Sequence, residues 1–313
     1  MKPEVLVLAA LPDFLMEPLR AVAVCHDFWQ ADEQGRAALL EETGPRIRGV
    51  VMAGGSVAPV ELLEKLPGLE IVSVFGVGYD GVPVDYCEKR GIRVTNTPDV
   101  LTDDVADIAV ALVLMTGRRL TVAERFVRNG DWLKGSFPLA HALRGKTAGI
   151  LGLGRIGKAI AERLGAHGMK VAYHGRQPQA VEYRFCGSLS ELAEVADFLI
   201  VACPGGPGTR HLVDAEILAA LGPEGTLINI ARGSVVDEQA LVAALEAGSL
   251  RGAGLDVFEN EPEVPETLLE SERVVLLPHV GSGTHETRRE MARLCVGNVA
   301  AHFAGEALLT PVV

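Results

Sequence analysis

A chain of 313 residues is long enough for two domains, each with its own core. Its 29 basic and 41 acidic residues give a formal net charge of −12, which would repel a phosphate backbone and excludes a general nucleic-acid-binding surface. With 48% hydrophobic and 22% charged residues it is globular rather than disordered, and its longest apolar run, at 108–115, is far short of the ~18 residues of a membrane span.

Five cysteines, Cys25, Cys87, Cys186, Cys203 and Cys295, are odd in number and form no C-x-x-C pair. Neither a disulfide framework nor a metal site is expected, and the compartment is read as reducing and cytoplasmic. Glu4, Asp13 and Glu17 interrupt the N-terminal apolar stretch, so it reads as a strand and not as a signal.

From the start, short apolar runs alternate with helical patterns. Strands are expected over 4–9, 21–25, 47–52, 70–75 and 92–95, with helices at 60–66 and 84–89 among the connections. The strands are continuously apolar, as for a parallel sheet buried on both faces. The rhythm breaks at Asn96-Thr97-Pro98, and Thr102-Asp103-Asp104 offers groups to cap a long helix over 103–115. A domain boundary is placed there. After a helix at 121–129, strands are expected over 147–151, 170–173, 197–202, 226–230, 252–255 and 274–277, the inventory of a Rossmann domain. One last helix, 284–303, has no strand of its own and is free to return to the first domain.

Gly152-Leu153-Gly154-Arg155-Ile156-Gly157 directly follows one of these strands and opens the next helix. Gly152 suits a tight turn, Gly154 a close approach of backbone to a pyrophosphate, and Gly157 the packing of helix on strand, while the helix N-terminus offers free N–H donors. About 20 residues on, where an acidic side chain would accept the ribose hydroxyls of NAD, stands Tyr173-His174-Gly175-Arg176-Gln177, without a carboxylate. Arg176 is suited to a 2′-phosphate, so NADPH/NADP is expected over NADH/NAD; the alternative is a solvated surface charge.

Three later strand ends carry Asn229-Ile230-Ala231-Arg232-Gly233, Leu255-Asp256-Val257-Phe258-Glu259-Asn260-Glu261-Pro262 and Leu277-Pro278-His279-Val280-Gly281. Each alone has an ordinary structural alternative: a salt bridge, a solvated acidic loop, a structural histidine. Together, an Arg, a carboxylate and a His at one sheet edge beside a nicotinamide make a carbonyl-reducing set. Arg232 would bind a carboxylate and polarise the adjacent carbonyl, and His279 would donate a proton, with Glu261 on its other ring nitrogen favouring the charged ring.

In this order the motifs resemble the D-isomer-specific 2-hydroxyacid dehydrogenases along nearly the whole chain. Within that family, Tyr173-His174-Gly175-Arg176 and Thr102-Asp103-Asp104-Val105-Ala106-Asp107 look like the NADPH-dependent glyoxylate/hydroxypyruvate and hydroxyphenylpyruvate reductase branch. The resemblance implies an α/β protein with a Rossmann cofactor domain, 98–283, inserted into a flavodoxin-like substrate domain, 1–97 with 284–313. It implies Arg232, Glu261 and His279 as the catalytic trio and a contact of Asp256 with the nicotinamide carboxamide. Phe75-Gly76-Val77-Gly78-Tyr79-Asp80 looks like the substrate loop, with the N–H groups of Val77 and Gly78 on the carboxylate. Small groups at Ala53-Gly54-Gly55 imply a roomy pocket, with Gly54 against the substrate. The cofactor contacts expected are Gly152, Gly154, Arg155, Ile156, Gly157, His174, Arg176, Gln177, Pro204, Ala231 and Asp256.

Family members pair through the cofactor domain, so a homodimer is expected, with 116–145 and its Trp132 reaching across. Formate dehydrogenases carry Gln where this chain has Glu261, which disfavours that reaction, and about ten residues after the last helix leave no room for an appended regulatory domain. The expected activity is reduction of a small 2-oxo acid to the D-2-hydroxy acid. The rival is a cofactor-sensing interaction protein, since the C-terminal binding proteins of transcription keep this fold and trio while acting as corepressors.

Overall fold

The structure, a computed structural model, describes residues 2–313. Its contacts divide the chain into two compact units: residues up to Leu101 together with Thr284–Val313, and Thr102–Gly283. In chain order the first stretch runs β1 (Glu4–Val7), α1 (Asp13–Val22), β2 (Val24–Asp27), α2 (Glu33–Thr43), β3 (Ile47–Ala53), α3 (Val60–Glu64), β4 (Ile71–Phe75), α4 (Val84–Lys89) and β5 (Arg93–Thr95). The second unit contains α5 (Thr102–Gly117), α6 (Leu120–Arg128), β6 (Thr147–Leu151), α7 (Arg155–Ala166), β7 (Lys170–His174), β8 (Arg184–Phe185), α8 (Leu189–Val195), β9 (Phe198–Val201), α9 (Ala215–Leu221), β10 (Thr226–Asn229), α10 (Glu238–Glu246), β11 (Gly252–Leu255), α11 (Glu266–Glu270) and β12 (Val274–Leu276). The chain then returns to the first unit as α12 (His285–Ala304).

The first unit's sheet is parallel throughout, in the order β2-β1-β3-β4-β5, the flavodoxin-like arrangement. Strand β4, between β3 and β5, is buried along its whole length, as its largely apolar pattern demands. The one polar residue there, Ser73, is satisfied: its hydroxyl donates to the Cys295 carbonyl of α12 at 3.1 Å and accepts from Thr95 Oγ1 at 3.1 Å. These bonds, with Thr287 Oγ1 donating to the Val100 carbonyl, seat the C-terminal helix on this sheet. Strand β2 begins three residues later than expected. Ala21 and Val22 complete the last turn of α1, and Ala23 caps it with its N–H on the Leu19 carbonyl, so tertiary packing of the helix overrides a locally strand-like run.

The second sheet is also parallel, in the order β12-β11-β10-β9-β6-β7-β8. Counted from β6 this is 3-2-1-4-5-6 with a seventh strand at the far edge, a Rossmann sheet. Seven strands replace the six expected. The missed one, β8, pairs only Arg184 and Phe185 with Ala172 and Tyr173 and has no apolar run by which to recognise it. Gly254 on β11 lets α5 approach the sheet, since a Cβ there would lie 3.1 Å from the Leu112 Cβ.

Candidate active site

Strand order reverses between β6 and β9, and the glycine turn sits at that reversal. Gly152 has φ +97°, and a Cβ on it would lie 2.8 Å from backbone atoms of Cys203, so the turn after β6 and the loop after β9 touch through a glycine. A Cβ on Gly157 would collide with the Gly152 carbonyl, which is why the first turn of α7 can lie against the strand end. Gly154, the N-cap of α7, differs: a Cβ there would meet nothing within 4 Å. The turn is thus closed where helix meets strand and open where free helix N–H donors face outward, the form of a pyrophosphate cradle. Arg155 and Ile156 begin α7 behind it.

The end of β7 is tied to this turn. Gly152 N–H donates to the His174 carbonyl at 2.9 Å, and Gln179 Nε2 donates to the Leu153 carbonyl at 2.8 Å. His174 Nδ1 lies 2.9 Å from the Cys186 carbonyl, with its ring stacked on Phe185. Arg176 and Gln177 are exposed just beyond, and among the described residues no carboxylate pairs with Arg176. Gln179, which no sequence motif marks, does the anchoring; Gln177 makes no side-chain bond among the described residues. Pro204 lies exposed after β9, its carbonyl accepting from Thr209 Oγ1.

His279 and Glu261 follow the adjacent strands β12 and β11, and the fold brings His279 Nδ1 to 2.8 Å from Glu261 Oε2. Burial opposes ionisation of Glu261. The hydrogen bond and charge of His279, the Phe258 N–H at 3.1 Å on its other oxygen and the positive charge of Arg232 outweigh burial and hold its carboxyl below the ordinary carboxylate value. Their side chains keep 40% and 35% exposure, enough for a small molecule to reach the ring. His279 has φ +53°, a left-handed conformation that costs a non-glycine residue roughly 1–3 kcal/mol and must be imposed by its surroundings.

Asp256 imposes it. Almost fully buried, it accepts the Val280 N–H on Oδ1 and the Gly281 N–H on Oδ2, each at 2.8 Å, while its carbonyl accepts the His279 N–H at 2.8 Å. Burial raises its pKa against the pull of those two N–H groups. Asn229, on the neighbouring strand β10, supports its turn in the same way: its Nδ2 donates to the Arg232 carbonyl at 2.9 Å and its Oδ1 accepts the Ala231 N–H at 3.1 Å, shaping the turn that presents Arg232. A Cβ on Gly233 would collide with the backbone of Phe258 and Glu259, so this glycine lets the arginine turn press on the loop that carries Glu261.

In the first unit, Gly54 and Gly76 face each other across the ends of β3 and β4: a Cβ on Gly76 would come within 2.9 Å of the Gly54 Cα, and one on Gly54 within 3.2 Å of the Gly78 carbonyl. Asn96 Nδ2 donates to the Val77 carbonyl at 2.8 Å and the Thr97 N–H to the Gly76 carbonyl at 2.9 Å. The carbonyls of the loop are thereby held, whereas among the described residues no hydrogen bond uses the N–H of Val77 or Gly78.

Residues 110–281 match the family model for the D-isomer specific 2-hydroxyacid dehydrogenase, NAD binding domain. The chain is 50% identical over 311 residues to a hydroxyphenylpyruvate reductase of Plectranthus scutellarioides, covering 99% of this chain and 98% of the relative. It belongs to the D-isomer-specific 2-hydroxyacid dehydrogenases. It is also 49% identical over 310 residues to a glyoxylate/hydroxypyruvate reductase A of Arabidopsis thaliana, covering 99% and 98%. The crystal structure of an NADPH-dependent glyoxylate/hydroxypyruvate reductase from Sinorhizobium meliloti, in complex with NADP and malonate, superposes with a TM-score of 0.91 at 45% identity, covering 100% of this chain and 97% of that one. As a 2-hydroxyacid dehydrogenase the protein is an NAD(P)-dependent oxidoreductase, and the glycine turn fits that cofactor. Among the described residues no helix is long and apolar enough to cross a membrane. Asp256 and Asn229 act as supports for their turns in ways the sequence did not disclose; the one available signal was that Asn229 ends its strand and Asp256 directly follows its strand, each shortly before a candidate residue.

Proposed function

We propose that this 2-hydroxyacid dehydrogenase reduces small 2-oxo acids, glyoxylate, hydroxypyruvate or related compounds, to the D-2-hydroxy acids with NADPH. The observation that carries the reading is the His279–Glu261 pair at 2.8 Å, under the positive charge of Arg232, on the same sheet as the glycine turn. The cofactor would lie on Gly152, Gly154, Arg155, Ile156 and Gly157, with His174, Arg176, Gln177, Pro204, Ala231 and Asp256 along its length. When bound in its reduced form it supplies the hydride. Arg232 binds the substrate carboxylate and polarises the neighbouring carbonyl, and in the first unit, taken by itself, the N–H groups of Val77 and Gly78, beside Gly54, are donors of the kind a carboxylate accepts. Because Nδ1 of His279 faces Glu261, Nε2 is the atom that gives its proton to the carbonyl oxygen.

Preference for NADPH over NADH rests on Arg176 and the absence of a carboxylate at the end of β7, and the NADPH-dependent reductase of Sinorhizobium meliloti supports it. The relatives matched along nearly all of this chain are named reductases, which supports catalysis over a corepressor-like role. The test is oxidation of NADPH, and of NADH in parallel, with glyoxylate, hydroxypyruvate and a wider set of 2-oxo acids. Turnover with NADPH favoured is expected; no oxidation dependent on a 2-oxo acid, with either cofactor, overturns the proposal.

A further inference from the structure

Glu261 sits in an exposed loop tip, 260–263, and a loop of that kind keeps a side chain in one place only if something ties it down. The tie lies two residues back. Glu259, whose side chain is only 16% exposed, accepts from Arg210 Nη2 on Oε1 at 2.7 Å, and His211 Nε2 lies 2.8 Å from the same oxygen. The Glu259 N–H donates to Oε2 of Glu238, the first residue of α10, at 3.3 Å, and its backbone abuts Gly233 with no room for a Cβ between them.

The two groups that grip Glu259 are fixed in their turn. They follow a short turn at 207–209, where Thr209 Oγ1 donates to the Pro204 carbonyl at 2.8 Å. The His211 N–H donates to the Ser234 carbonyl at 2.8 Å and the Val213 N–H to the Val235 carbonyl at 3.0 Å, so this segment lies along the chain just after Arg232. His211 has φ +49°, a left-handed conformation that persists in a non-glycine residue only where the surroundings over-determine it. As a source of stability the ion pair with Arg210, itself 59% exposed, counts for little. Its place counts for more, because it joins the loop that carries Glu261 to the segment that backs the Arg232 turn.

We propose that Glu259 is a positioning residue: gripped by Arg210 and His211, it holds the 258–262 loop in the form that aims Glu261 at His279 Nδ1, and so governs reduction through Glu261 and not by touching the substrate. The inference rests on the reading of His279 and Glu261 as the proton-donating couple and deepens it. The 2.8 Å contact of Glu261 with His279 spans two strand ends and tolerates little displacement. Within its own loop Glu261 accepts only the Phe258 N–H among the described residues, a bond that moves with the loop and cannot place it. Glu259 supplies the reference outside the loop. The free energy it contributes is spent on geometry, so its loss is read in turnover more than in unfolding.

The test measures kcat and KM for hydroxypyruvate, and NADPH affinity by fluorescence, in the wild type, Glu259→Gln, Arg210→Met, Arg210→Lys and His211→Asn, and repeats Glu259→Gln and Arg210→Met in a Glu261→Gln background. Glu259→Gln should lower kcat by about tenfold to a hundredfold, as for a reacting group displaced by an ångström, with NADPH affinity within about twofold of the wild type. Arg210→Met should lower kcat in the same direction and Arg210→Lys should recover part of it. His211→Asn, which keeps a residue that adopts the left-handed conformation readily but no longer reaches Glu259, should do likewise. In the Glu261→Gln background the further loss from either substitution should shrink to about twofold or less, since the residue it acts through is already disabled. Should Glu259→Gln not fold, Arg210→Met, at an exposed side chain, carries the same comparison. Full-size losses on top of Glu261→Gln, losses confined to NADPH affinity or to the melting temperature, or an unchanged kcat overturn the inference while leaving the reductase reading intact. A wild type that reduces no 2-oxo acid overturns both.

Discussion

The Glu261 carboxyl is held below its ordinary value despite its burial, so it is an anion throughout the neutral range and a full negative charge faces His279 Nδ1. Glu261→Gln keeps the shape and removes the charge. The variant should therefore lower kcat/KM for reduction, because the His279 Nδ1 loses its anionic partner and the ring is held less firmly. Steady-state kinetics of both proteins check this, and an unchanged kcat/KM would remove Glu261 from the couple. His279→Ala should lower reduction by the ~10² to 10⁴-fold typical of a lost general acid while NADPH still binds. At the other end of the cofactor site, Arg176→Ala should weaken NADPH by about 1–3 kcal/mol and leave NADH nearly untouched, as for a charge-assisted contact to the 2′-phosphate. Fluorescence titration with each cofactor decides it, and equal losses would separate Arg176 from the phosphate.

Elements meet at glycines, and their tolerance can be measured. A methyl at Gly157 would be driven into the Gly152 carbonyl, so either α7 withdraws from β6 or the turn opens. Gly157→Ala should lower stability by about 1–3 kcal/mol, the usual cost of overpacking, and weaken both cofactors alike. Thermal unfolding with a parallel NADPH and NADH titration checks it; unchanged binding would mean that the turn does not form the cradle. The selective loss expected of Arg176→Ala and the uniform loss expected of Gly157→Ala thus distinguish reading the phosphate from seating the pyrophosphate.

For the whole molecule, acidification is the informative stress. Glu4, hydrogen-bonded to Arg46 at 2.7 Å and His26 at 2.9 Å, and Glu70, bonded to Arg48 at 2.6 Å and His302 at 3.1 Å, are both held below the ordinary value of 4.5 by those partners, arginine first. A depressed carboxylate contributes its stability above the unfolded value and loses it as pH falls through the folded one. The melting temperature should therefore drop below about pH 4.5, less steeply in Glu4→Gln/Glu70→Gln than in the wild type; parallel curves would show that other groups govern acid unfolding. A separate expectation concerns assembly. Trp132, Leu133 and Leu139 are 68%, 94% and 98% exposed, an apolar stretch that a homodimer would cover. Light scattering should give a dimer that Trp132→Glu/Leu139→Glu weakens, and a wild-type monomer would count against it.

The order of strands and helices, the glycine turn and the candidate set Arg232, Glu261 and His279 were legible in the sequence, because each has a local cause. A strand buried on both faces must be apolar throughout, a turn with φ +97° calls for glycine, and a proton donor needs an ionisable side chain. Where local signals competed or vanished, the boundaries moved: α1 absorbed the start of the expected β2, and two-residue β8 left no pattern to find. Tertiary structure alone decided which distant segments meet. Only the pairing of β11 with β12 brings residues 261 and 279 within a hydrogen bond, and only the packed turns show Asp256 and Asn229 as their supports. Arg288 is one more basic residue in a charged helical run until α12 folds back on β4 and sets it over Phe75. Such encounters depend on the order and register of strands far apart in the chain, which no short-range spacing encodes.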